Sequence, residues 1–320
     1  MNQSNSKPNV FCLMGPTSSG KTDLAVELVK RFPFEIISVD SAQVYKGMDI
    51  GTGKPDKAVL SIAPHRLLDI KDPSEAYSAS DFREDALNEI AKIFALGKTP
   101  LLVGGTMLYF KALRDGLANM PEADAEIRTE IESLAREEGW ETVHKKLAQV
   151  DSESAKRIHP NDPQRLQRAL EIFLISGKTM SEYHAEEQKI KEQEGAALPF
   201  NLHFFAIQPK DRDVLHRQIA DRFQRMLAAG LVAEVSDLFR RDDLHEMLPS
   251  MKSVGYRQVW QHLAGDLSYD GMVEKSIIAT RQLAKRQLTW LRTWENLRSL
   301  RDPSVKSIDN VLKYVESTST

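Results

Sequence analysis

The sequence predicts an α/β fold: a P-loop parallel sheet with helices on both faces, plus a mostly helical insertion. Three observations predict it. Short apolar runs alternate with amphipathic helical segments in the first third of the chain. A glycine-rich phosphate-binding pattern joins the first apolar run to the first helical segment. Residues 115–200 then show helical periodicity and dense charge with no convincing strand, before strand-like composition returns.

In chain order, residues 10–14 (VFCLM) read as a buried strand, and the segment after the glycines forms a helix through Leu24, Val26, Leu28 and Val29. Residues 35–39 give a second strand. Ser80 is the expected N-cap of a helix over 81–96, and residues 101–103 (LLV) form a third strand before Gly104 and Gly105. After the insertion, residues 201–208 (NLHFFAIQ) return to the sheet, and long helices run from Asp211 to near Trp294. This predicts a catalytic core from residues 1–114 and 201–320 and an insertion domain over 115–200. The polar residues 317–320 are expected to fray, and no internal repeat is present.

Bulk properties narrow the function. A chain of 320 residues, 41% of them hydrophobic, can build about two domains. No stretch approaches the roughly 20 apolar residues of a membrane span, so a cytoplasmic, monomeric enzyme is expected. The single cysteine, Cys12, sits in an apolar run, which excludes an internal disulfide and reads as a core thiol. The eight histidines lack partners at zinc spacing, which argues against a protein-caged metal. With 43 basic and 46 acidic residues the net charge is −3, so any nucleic-acid contact must come from local basic patches.

Gly15, Pro16, Thr17, Ser18, Ser19, Gly20, Lys21 and Thr22 match G-x-x-x-x-G-K-[ST] between a strand and a helix, as the motif demands. The glycines let backbone N–H groups converge on phosphate oxygens at a helix N-terminus. Lys21 supplies a cation, and the Thr22 hydroxyl can ligate Mg2+. A nucleotide-hydrolysing enzyme adds a strand ending in a magnesium-binding aspartate, but residues 101–106 (LLVGGT) carry no acid. Asp40 follows the second strand and so belongs at the carboxyl edge of the sheet beside the loop, where it can bind metal or act as a general base.

With these motifs in place, the chain resembles the tRNA dimethylallyltransferase (tRNA isopentenyltransferase) family. The resemblance rests on GPTSSGKT at 15–22, DSAQVYKGMDIGTGKP at 40–55 and GGTMLYFKAL at 104–113. It continues in the same order through NDPQRLQRALEI at 161–172, RFQRMLAAGLVAEV at 222–235, SVGYRQVW at 253–260 and KRQLTWLR at 285–292. Ser18, Gly53 and the pair Lys252-Ser253 depart from the usual pattern, the last putting only a local tRNA contact in doubt. The resemblance implies transfer of a dimethylallyl group from dimethylallyl diphosphate to the exocyclic amine of adenosine 37, just 3′ of the anticodon, assisted by Mg2+.

On that implication the loop holds diphosphate rather than a nucleotide, with Lys21 and Arg222 as its cations and Asp40 as the base. The adenosine must be extracted from the anticodon stem-loop, and the resemblance implies that Asp40, Ser41, Ala42, Gln43 and Thr106 contact it. It further implies tRNA contacts from Arg128; from Gln164, Arg165, Leu166, Gln167 and Arg168; and from Lys252, Ser253, Val254, Gly255, Tyr256 and Arg257. Lys285, Arg286, Gln287, Leu288, Thr289, Trp290, Leu291 and Arg292 complete the set. Helical spacing puts Arg281, Lys285 and Arg292 within about 40° of one another, opposite a stripe of Leu283, Trp290 and Trp294. A basic solvent face over a tryptophan core is therefore expected. Two other readings share the phosphate loop, a nucleotide or small-metabolite kinase using ATP and a non-catalytic RNA-binding protein. Neither accounts for both the basic stripe and Asp40.

Overall fold

The structure is a computed structural model and describes residues 7–118, 120–194, 198–209 and 211–318. Two compact units result, one from residues 1–115 with 198–320 and one from residues 116–197.

The first unit opens β1 (Asn9–Met14), α1 (Lys21–Arg31), β2 (Phe34–Val39), α2 (Lys57–Ile62), β3 (His65–Arg66), α3 (Ala79–Ala95), β4 (Thr99–Gly104) and α4 (Met107–Asp115). The second unit contains α5 (Ala125–Glu138), α6 (Trp140–Val150), α7 (Ser152–Arg157), α8 (Pro163–Ser176) and α9 (Met180–Glu194). The chain then returns to the first unit through β5 (Asn201–Ile207), α10 (Arg212–Ala228), α11 (Leu231–Phe239), α12 (Tyr256–Leu263), α13 (Tyr269–Arg292), β6 (Leu297–Leu300) and α14 (Val305–Thr318).

The sheet is parallel throughout, in the order β3-β2-β4-β1-β5-β6. The inner strands β1, β2 and β4 are buried along nearly their whole length because helices cover both faces of the sheet. Val10, Cys12 and Met14 pack with residues of α3, α4 and α10 to α13, while Phe11 and Leu13 pack with α1 and α14. Cys12 lies in this core, and burial pushes its thiol above the ordinary range. With β1 central and every strand running the same way, the loops after β1, β2 and β4 emerge at one carboxyl edge, where open α/β sheets bind ligands.

Two local expectations are corrected, and three short elements were not expected. The cap of α3 is Ser78, not Ser80: the Ser78 hydroxyl accepts the Asp81 N–H while the Asp81 carboxylate accepts the Ser78 N–H. That reciprocal pair needs its acid three residues on, which only Ser78 has. The polar stretch at 317–318 closes α14 rather than fraying, with the Thr318 hydroxyl bonded back to Tyr314 O, while residues 319–320 lie outside the described residues. Finally, β3, β6 and α2 are too short for periodicity to reveal.

In the second unit, Ile131, Val143, Leu147, Leu166 and Ala169 form a core of their own. Asp162 caps α8 ahead of Pro163, and Gly177 ends it at φ 71°, a left-handed turn that glycine adopts without strain.

Candidate active site

A cavity of about 620 Å³ opens at the carboxyl edge of the first unit, bounded by the loops after β1, β2 and β4 and by α10, α12 and α13. Its floor is the phosphate loop. The chain leaves β1 at Gly15 and enters α1 through Ser18 (φ 62°) and Gly20 (φ 80°). Thr17 N–H donates to Gln287 Oε1 (2.8 Å), and Gln287 Nε2 donates to Gly105 O (2.8 Å). One amide from α13 thus ties the phosphate loop to the end of β4. The Ser18 and Ser19 hydroxyls are buried with no hydrogen-bond partner among the described residues, which suits a loop whose partners are ligand oxygens.

Lys21 Nζ donates to Pro16 O (2.7 Å). Its pKa is pulled down to about 7, first by burial and then by the Arg222 charge, against the attraction of Asp40. Arg222 reaches across from α10 to Thr17 Oγ1 (3.0 Å) and Thr52 O (3.4 Å). It lies beside the apolar stripe of α10, in which Leu215 and Ile219 pack on Ala284 of α13 and Phe223 joins the main core. Burial lowers its pKa too, opposed by Asp40. Two cations short of hydration and one carboxylate leave the cavity receptive to an anion.

Asp40 sits one residue past β2. Its Oδ1 accepts the N–H of Ala42 (2.9 Å) and of Gln43 (3.3 Å), fixing the carboxylate in a tight turn. The Ser41 N–H donates to Thr106 Oγ1 (3.1 Å), joining the loops after β2 and β4. Gln43 is held at both ends of its amide, by the Ser38 hydroxyl and by the carbonyls of Thr52 and Gly53. The missing acid of β4 has a steric counterpart: a Cβ on Gly104 would lie 2.0 Å from Val39 O.

The predicted site residues therefore divide. Lys21, Asp40, Ser41, Ala42, Gln43, Thr106 and Arg222 share the cavity, as do Lys252, Ser253, Val254, Gly255 and Tyr256. Thr22 and Arg286 are exposed at its rim. Arg257, Lys285, Thr289 and Arg292 are exposed on their helices.

In the second unit, Gln164 and Arg165 are exposed, whereas Arg128 and Arg168 are both paired with Glu171, a carboxylate buried at 0% exposure. Gln167 is bonded to Arg128 O and Glu132. Two predicted contact residues are corrected outright. Leu166 (0% exposed) and Leu291 (2%) are core, and burial leaves them nothing to offer an RNA surface.

The expected basic stripe is also corrected. Arg281 is half-buried beside α10, and its Nε is buried without a partner among the described residues, so only Lys285 and Arg292 remain fully solvent-facing. The tryptophans separate as well. Trp294 is 8% exposed, stacked edge-on against Phe204 of β5 and covered by the Arg114 guanidinium at 4.4 Å. Leu283 and Trp290 instead line the cavity.

Sequence reasoning gave no role to Glu234, whose carboxylate accepts the N–H groups of Asp49, Ile50 and Gly51. Its only local signal is an acid in the first turn of a helix, the ordinary complement to the helix dipole.

The family model described as IPP transferase matches residues 43–294. Among solved structures, the chain is 34% identical to the tRNA isopentenylpyrophosphate transferase of Bacillus halodurans, covering 97% of this chain and 96% of that one with a TM-score of 0.70. It is also 34% identical to the tRNA delta(2)-isopentenylpyrophosphate transferase of Staphylococcus epidermidis, over 98% and 100% of the two chains, with a TM-score of 0.68. A eukaryotic dimethylallyltransferase acting on tRNA matches at 26% identity and a TM-score of 0.72, over 94% of this chain and 75% of that one.

Proposed function

The chain belongs to the IPP transferase family, and from that premise we propose how its cavity moves a dimethylallyl group from dimethylallyl diphosphate to the exocyclic amine of adenosine 37 in tRNA. One observation carries the reading: a phosphate loop with two desolvated cations, Lys21 and Arg222, faces a fixed carboxylate, Asp40, across a single cavity.

In the reaction the amine nitrogen forms a bond to the allylic C1, the C1–O bond breaks, and its electron pair leaves with diphosphate. The chain's task is to hold the leaving group and remove one proton. Backbone N–H groups of the phosphate loop, Lys21 and Arg222 stabilise the charge that grows on the diphosphate. The amine is a weak nucleophile because its lone pair is delocalised into the ring, so loss of its proton during attack helps. Asp40 accepts that proton at Oδ2, since its Oδ1 is already occupied by two backbone N–H groups.

Mg2+ fits the same site. It binds through few protein oxygens plus substrate phosphates and water. The Thr22 hydroxyl would hold it beside the diphosphate, where it would neutralise leaving-group charge.

The target base lies in the anticodon stem-loop and must leave its stack to meet Asp40. Trp290, half-buried on the cavity wall, supplies aromatic surface for such a base. Exposed Arg165, Lys285, Arg286 and Arg292 are the basic groups we assign to the RNA backbone. No helix among the described residues is long and apolar enough to cross a membrane. We propose a cytoplasmic monomer.

The test is mass spectrometry of tRNA incubated with the protein, Mg2+ and dimethylallyl diphosphate. A gain of one dimethylallyl group on adenosine 37 is expected. Labelling at another nucleotide, or transfer from ATP instead, would overturn the reading.

A further inference from the structure

Glu234 has a concentration of partners that neither diphosphate binding nor proton removal calls for directly. It is half-buried near the start of α11. Its Oε2 accepts the N–H of Asp49 (3.0 Å) and of Ile50 (2.7 Å), and its Oε1 accepts the N–H of Gly51 (3.1 Å). The Tyr256 hydroxyl donates to the same carboxylate. Four donors on one ionised group form charge-assisted bonds, which are stronger than neutral ones and fix three successive peptide units.

The fixed segment runs straight into Thr52 and Gly53. The Thr52 carbonyl accepts Arg222 Nη2 (3.4 Å), and the Thr52 and Gly53 carbonyls accept Gln43 Nε2 (3.4 and 3.3 Å). There is little slack in the assembly. A Cβ on Gly51 would lie 2.5 Å from a Tyr256 ring carbon, and one on Gly53, at φ 64°, would lie 2.0 Å from Arg222 Nη2.

We propose that Glu234 is a positioning residue for the transfer reaction: by pinning residues 49–51 it sets the Thr52 carbonyl that aims Arg222 at the donor's diphosphate. The proposal rests on the reading of Arg222 as a diphosphate cation. An arginine side chain has several free torsions, and among the described residues Arg222 is held by two acceptors, Thr17 Oγ1 and Thr52 O. If residues 49–53 loosen, one of the two is lost and the guanidinium is free to drift toward Asp40, the carboxylate whose charge it already feels. Errors of about 1 Å in a positioning group cost of order 10²-fold in rate. Tyr256 completes the latch, because burial and the neighbouring Glu234 charge both raise its pKa and keep it a proton donor.

The test uses the full-length protein with Glu234→Gln, Tyr256→Phe, Arg222→Ala and the double variant Glu234→Gln/Arg222→Ala. Glutamine keeps the size but turns an NH2 toward the backbone donors. Four quantities are read: the inhibition constant of inorganic diphosphate, kcat and KM for dimethylallyl diphosphate, tRNA affinity, and melting temperature. Glu234→Gln should weaken diphosphate by about tenfold, the worth of one charge-assisted bond, with tRNA affinity unchanged. Tyr256→Phe should act in the same direction but less.

In the double variant Glu234→Gln should add nothing to the loss caused by Arg222→Ala, since residues that act as a unit are not additive. Additive losses would overturn the proposal, as would a fall in tRNA and diphosphate affinity together with a lower melting temperature. If Arg222→Ala matters to diphosphate and Glu234→Gln does not, the Glu234 proposal alone fails. If Arg222→Ala leaves diphosphate inhibition unchanged, the diphosphate reading of Arg222 fails first and takes the proposal with it.

Discussion

Lys21 gives the cavity a pH dependence whose sign follows from its pKa of about 7, well below the ordinary lysine value. The unfolded chain binds the proton that the empty cavity releases, so between the ordinary lysine range and pH 7 this group costs stability, and the cost grows as pH falls. Bound diphosphate reverses the preference, because its charge favours the ammonium. Diphosphate binding should therefore take up a proton above about pH 7 and weaken by up to about tenfold per pH unit. Titration of inorganic diphosphate against the wild type and Lys21→Ala across about pH 6 to 9 isolates the effect, since the ligand's own ionisation is common to both. Parallel curves would remove Lys21 from the binding equilibrium. For Asp40, replacement by asparagine should lower transfer by about 10² or more with tRNA affinity within a few-fold, the range of a lost general base. Unchanged single-turnover rates would assign the proton to another acceptor.

The helix α13 does several jobs on different faces. Met272, Ser276, Ala284 and Leu291 are buried, Gln287 ties the phosphate loop to β4, Leu283 and Trp290 line the cavity, and Lys285 and Arg292 face solvent. Lys285→Ala with Arg292→Ala should weaken tRNA binding and flatten its log–log salt dependence by up to about 0.7–0.9 for each phosphate neutralisation removed, with the melting temperature nearly unchanged. An unchanged slope would make both residues ordinary solvated surface. Trp294→Ala should behave in the opposite way. Buried against Phe204 and Arg114, it should cost roughly 3–5 kcal/mol in chemical denaturation without any specific loss of RNA affinity in the folded fraction.

The two compact units have separate cores, and every cavity residue belongs to the first. Leu166→Ala, at the centre of the core formed by residues of α5, α6, α7 and α8, should cost about 2–5 kcal/mol locally. Calorimetry should then show the second unit melting early, and inorganic diphosphate should still bind to the first. Loss of diphosphate binding in step with that early transition would mean that the units fold as one.

Chain-local patterns reached far. Alternation of strand and helix, the glycine spacing of residues 15–22 and the acid after β2 predicted the parallel sheet, the phosphate loop and Asp40, because each depends on residues close in sequence. The cap of α3, the burial of Leu166 and Leu291, the partial burial of Arg281 and the turning of Trp290 toward the cavity did not follow from periodicity. A helical wheel says which residues share a face but not which neighbour covers it. The ties that align the chemistry span long separations: Gln287 to Thr17, Arg222 to Thr17 and Thr52, and Glu234 to residues 49–51. Sequence spacing set the kinds of groups available to the cavity, whereas only packing of α10, α11 and α13 over the sheet edge decided where those groups point, since hydrogen-bond direction and desolvation exist only once distant segments meet.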